Sequence, residues 1–178
     1  MNITSRARLF AVAAGISLFA AACADGGTDF DSGAADITIE RDGVEPLRLV
    51  HDPELSQVTL TPPTEGIIEL VFAYQDPLVT LRLVVNSELV VEGVEVPFPV
   101  ASPLSPDDVL LTLEIDDVIY TSDDAAATGF VLFDVLEIDE ENDYADVIAT
   151  FDAVLVGTND SITLSGSVEG RVGDRDDL

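Results

Sequence analysis

The chain is 178 residues long and carries 35 acidic residues against seven arginines, with no lysine, a formal net charge of −28 and a sequence pI near 4.1. That charge repels phosphate backbones and anionic headgroups, which argues against nucleic-acid binding and against docking of the folded part on an anionic membrane surface. One cysteine and one histidine exclude an intramolecular disulfide and a Cys/His metal cluster, so stability has to come from packing.

Residues 1–8, MNITSRAR, hold two arginines and no acid, and an apolar run follows from Leu9 to Ala22. As a helix the run spans about 21 Å, short of the hydrocarbon core of about 30 Å. A cleaved signal peptide over 1–22 fits better than a transmembrane helix. Ala20, Ala21 and Ala22 lead directly into Cys23, which resembles the lipobox of bacterial lipoprotein precursors. Lipoboxes usually carry a larger aliphatic residue three places before the cysteine, where this chain has Ala20, with Leu18 two places further back. The resemblance implies that Cys23 becomes the lipidated first residue of the mature chain. The protein is then anchored on the outer side of the cytoplasmic membrane or in the outer membrane. The rival is ordinary secretory cleavage after Ala22 or Ala24, giving a soluble secreted or periplasmic protein.

From Cys23 to residue 35 the chain is small, acidic and glycine-bearing without periodicity, and reads as a flexible tether. Composition then shifts to short runs of valine, leucine, isoleucine and threonine separated by turn residues, the pattern of one all-β domain over 36–172. Candidate strands are 36–41, 46–51, 56–61, 67–74, 78–86, 88–96, 109–121, 129–138, 144–157 and 161–172. An antiparallel β-sandwich or barrel of about 8–10 strands is the architecture such runs imply. Residues 97–108 hold four prolines and fit an edge or a connection rather than a central strand. Residues 173–178 form a polar tail.

Two strands specify their own pairing. Val147, Ala149, Phe151, Ala153 and Leu155 share one face of the first, and Ile162, Leu164, Gly166, Val168 and Gly170 share one face of the second. A four-residue loop at 157–160 sets Leu155 opposite Ile162, Phe151 opposite Gly166, Val147 opposite Gly170, and Asp146 opposite Arg171. Slippage by one residue would turn Phe151 outwards. Within 109–121 the apolar phase changes from odd to even positions at Asp116-Asp117, and a bulge or bend is expected there.

Catalytic templates are missing: no G-x-S-x-G elbow, no Walker loop, no G-x-G-x-x-G and no H-E-x-x-H. A Ser-His-Asp triad would have to use His51, which closes a candidate strand beside Asp52 and Pro53 and reads as a surface residue. The best metal candidate is the acidic loop DEENDYAD, where Asp139, Glu141, Asp143 and Asp146 offer the hard oxygen ligands of a weak calcium site. It does not follow the EF-hand spacing, and a solvated acidic hairpin is the plainer account. No other cofactor is implied. The expected function is a non-enzymatic binding or structural module of the cell envelope, acting on a protein or cationic partner. The alternatives are an exported hydrolase using clustered carboxylates and, if a barrel has a lumen, a small-ligand carrier.

Overall fold

A computed structural model describes residues 33–61, 66–139, 141 and 144–173. Their regular structure is all β: β1 (Ala34–Glu40), β2 (Leu47–Val50), β3 (Ser56–Leu60), β4 (Ile67–Gln75), β5 (Leu78–Asn86), β6 (Glu95–Phe98), β7 (Val109–Ile115), β8 (Val118–Thr121), β9 (Thr128–Asp139), β10 (Tyr144–Val156) and β11 (Ser161–Val172). They form a single antiparallel sheet curled into a half-barrel.

The sheet runs β2-β1-β11-β10 and then divides. Most of β10 pairs with β9, which carries β6 on its far side, whereas Val156 at its end bridges to Thr121 of β8. From β8 the order continues through β7, β5 and β4 to β3. Curling brings the far end of β11 back over β3 and β4. A Cβ added at Gly170 would stand 3.0 Å from Leu70 Cδ1 and 3.2 Å from Leu60 Cβ. Close approach of sheet to sheet uses the missing side chain at this position.

Alternation sorts residues between the inside and the outside. In β5, Val79, Leu81, Leu83 and Val85 are buried, and in β7, Val109, Leu111 and Leu113 are fully enclosed. Tyr120, Phe72, Phe133 and Phe151 are the bulkiest fully buried side chains and fill the interior between the two arms of the sheet. Each such ring removed from water contributes about 1.5–3 kcal/mol of gross stabilisation. One contiguous apolar core results.

The β10–β11 ladder has the register that the alternation specifies, including Leu155↔Ile162, Phe151↔Gly166, Val147↔Gly170 and Asp146↔Arg171. Gly166 is also paired on its other side with Ile37 of β1. It has φ +143°, and a Cβ there would lie 2.1 Å from the Asp36 carbonyl oxygen.

Two expectations are corrected. Residues 109–121 are a hairpin rather than one bent strand: Ile115 pairs with Val118, and Asp116 and Asp117 both take left-handed φ, 54° and 61°. That is the geometry of a two-residue type I′ turn. Two turn residues shift the inward set from odd to even positions just as a bulge would, so the pattern alone does not separate them.

The stretch 88–96 is mostly turns, with the strand beginning only at Glu95. Leu89 and Val90 both donate to the Asn86 carbonyl, and Gly93 donates to the Phe133 carbonyl of β9. The segment therefore crosses from the end of β5 to the other arm, and its apolar alternation serves no ladder. β6 itself contains Pro97 and pairs on one side only, with β9, as the missing proline donor requires.

Candidate functional site

The cation-bearing positions organise the polar chemistry of this acidic domain. Arg41, just past β1, reaches across the turn regions of two other hairpins. Its Nη2 donates to the Tyr120 hydroxyl at 2.8 Å, the guanidinium lies 5.5 Å from the centre of that ring, and Asp116 and Asp160 carboxylates stand 3.7 and 3.8 Å away. Tyr120 in turn donates to Asp160 at 3.2 Å. Burial, reinforced by the Asp160 carboxylate, pushes the Tyr120 phenol above its ordinary value. A phenol held protonated offers no base or nucleophile at neutral pH, so this cluster ties the β1–β2, β7–β8 and β10–β11 turns together. Sequence reasoning missed it, since Arg41 and Tyr120 are 79 positions apart. The scarcity of arginines was the available signal.

His51 sits in the turn between β2 and β3, where its Nδ1 lies 3.0 Å from the Ser56 hydroxyl. That hydroxyl accepts from the Asp52 backbone N–H at 2.8 Å and donates to the Asp52 carbonyl at 2.9 Å. Ser56 Oγ closes this turn through its two bonds to the Asp52 backbone, and the ring of His51 lies against the same oxygen.

The acidic hairpin between β9 and β10 is only partly described. Asp143 lies outside the described residues. Asp139 accepts from the Glu141 backbone N–H at 3.0 Å, a local turn contact. Asp146 faces the other way in sequence terms: it is buried, at 4 % exposure, and receives Arg171 Nη2 at 2.5 Å and Nε at 3.2 Å, both on Oδ2. The carboxylate raises the Arg171 guanidinium above its usual range. Among the described residues no three carboxylates, cysteines or histidines gather closely enough to hold a metal ion. Cys23, the attachment candidate, also lies outside the described residues.

The concavities are shallow. A dish of about 570 Å³ on the outer face of β1, β10 and β11 is lined by hydroxyls of Thr38, Thr150, Ser165 and Ser167 beside the Asp36–Arg48 pair. Arg48 grips Asp36 through two hydrogen bonds, 2.9 and 2.5 Å, which hold the Asp36 carboxyl below its ordinary value. A smaller hollow of about 270 Å³ between Leu78, Thr80, Glu114, Asp116 and Asp117 opens beside the β7–β8 turn. Neither includes His51. Comparison with known protein families, characterised proteins and solved structures finds no match to this chain.

Proposed function

We propose that the protein is an exported module of the cell envelope, lipidated at Cys23 and held to a membrane by that lipid, whose β-domain works by binding or by structural support rather than by catalysis. The observation that carries the reading is the placement of the chain's single cysteine, at the end of a basic-then-apolar leader and ahead of an acidic linker that leads to β1. Two features of the domain support the non-catalytic part. Its interior is occupied by packed aromatic and aliphatic side chains, and its one histidine is engaged with the Ser56 turn.

Replacing the thiol tests the anchor directly. Cys23→Ala is expected to move the exported protein from the membrane fraction to the soluble fraction, read by fractionation and immunoblotting. Unchanged membrane partition would overturn the lipid-anchor reading.

A further inference from the structure

The two outer faces of the sheet differ in charge. On the arm built from β3, β4, β5, β7 and β8, the outward positions include Ile67, Val71, Leu78, Val84, Leu110 and Ile119, of which Leu78 is 70 % and Ile119 60 % exposed and the rest exposed or half-buried. Charged side chains on the strands of this face are Glu69, Arg82 and Glu114, with Asp116 and Asp117 at the β7–β8 turn beside Leu78, and Arg82 neutralises Glu69 through a two-pronged pair. The opposite outer face, on β1, β10 and β11, carries Glu40, Asp152 and Glu169 as outward carboxylates in no ion pair among the described residues, beside Asp36 and the buried Asp146, which Arg48 and Arg171 neutralise. In a chain of net charge −28, the strands of one broad face carry a single carboxylate outside an ion pair, Glu114, among exposed aliphatic side chains. Water-facing sheets have no need of that economy, whereas a face that is covered does.

We propose that this face is the interface between two copies of the chain, packed sheet on sheet about a two-fold axis. The five strands measure 5, 9, 9, 7 and 4 residues. At about 3.4 Å per residue and 4.8 Å per strand they present about 550 Å² of projected face. Two copies cover about 1,100 Å² before side-chain corrugation is added, just below the range of stable interfaces, about 1,200–2,000 Å², which the corrugation brings within reach. Charge fits a second copy as well. Glu114 is joined to no arginine among the described residues, and Arg82, which meets Glu69 through Nε and Nη2 and is 47 % exposed, keeps Nη1 for the Glu114 of the other copy. Elsewhere on the molecule like charges repel. The dimer therefore forms at high protein concentration and strengthens with salt, opposite to a complex with a cationic partner.

The test is sedimentation velocity on the exported chain carrying Cys23→Ser, so that no lipid joins copies, across protein concentration at low salt and at about 0.5 M sodium chloride. A mass rising to that of a dimer with concentration and with salt is expected. Val84→Glu, and separately the exposed pair Leu78→Asp with Ile119→Asp, should leave a folded monomer by circular dichroism. Val154→Glu, the same kind of change on the outer face of β10, should leave the dimer intact. A monomer at every concentration and salt, or a dimer indifferent to the face variants, or one equally disrupted by Val154→Glu, overturns the proposal.

Discussion

Gly166 concentrates several demands in one residue. It lies between Phe151 on one neighbouring strand and Ile37 on the other, at a φ that L side chains rarely adopt, with the Asp36 carbonyl where a Cβ would go. Gly166→Ala therefore adds a clash with backbone to conformational strain, and should cost about 3 kcal/mol. Gly43, at φ +76° in the β1–β2 turn with nothing within 4 Å of an added Cβ, isolates the strain alone. Gly43→Ala should cost about 1 kcal/mol. Urea denaturation of both variants checks the difference; equal losses would mean that the close approach to Asp36 is not what demands glycine. That Phe151 meets Gly166 is legible in the sequence, because large and small residues alternate in complementary phase along both strands. The role of Asp36 is not, since nothing local in DITIE points to β11, more than a hundred residues away.

Elements were legible where one pattern had one cause. The β10–β11 hairpin combines long period-two runs with a short polar loop, so burial of one face fixes its register. The 88–96 segment shows the limit: apolar alternation in ELVVEGVEV suits a strand, but the chain there has to pass between arms of the sheet, and only tertiary placement shows it. Asp116-Asp117 was ambiguous for a different reason, because bulge and turn change the phase alike. The resolved geometry yields a prediction. Both central residues are left-handed, a conformation that Asn-Gly adopts at less cost than Asp-Asp. Replacing Asp116 by Asn and Asp117 by Gly should raise stability by about 1 kcal/mol, read as a shift in urea midpoint. Asp116 is 3.7 Å from Arg41 and 73 % exposed, and so exposed a pair contributes too little to reverse the gain.

For the whole molecule, the governing quantity is charge. At pH 7 the carboxylates repel one another across the surface, and added sodium chloride should raise the melting temperature by screening. Near the sequence pI of about 4.1 the net charge vanishes, and the salt effect should vanish with it. Asp36 and Asp108 act in the opposite sense. Arg48 depresses the first, and hydrogen bonds from the Ser105 hydroxyl and backbone N–H depress the second. A carboxylate whose folded pKa lies below 3.8, the ordinary aspartate value, contributes its full stabilisation above that value and loses it as pH falls through the folded pKa. Relief of repulsion should thus give way to acid destabilisation below about pH 3.8. Thermal melts from pH 7 to pH 2.5 at two salt concentrations check both limbs; a salt response unchanged at pH 4 would remove self-repulsion as the cause. The same charge was fully legible in the sequence, but its uneven distribution over the two outer faces was not, because residues two apart in a strand say which side they share and not what the other strands put beside them.

The pairing of the first strand with the last has a bearing on timing. Ala34 meets Glu169 and Glu40 meets Thr163, so β1 and the β2 edge it supports have no neighbour to complete the sheet until the final strand is available. Folding that waits on such distant contacts is slow, because loop closure is spent before the ladder rewards it. A chain delivered through a membrane N-terminus first would stay threadable for as long as β11 remained on the near side. On the proposed reading of an exported chain, the order of its strands would itself act as a clock.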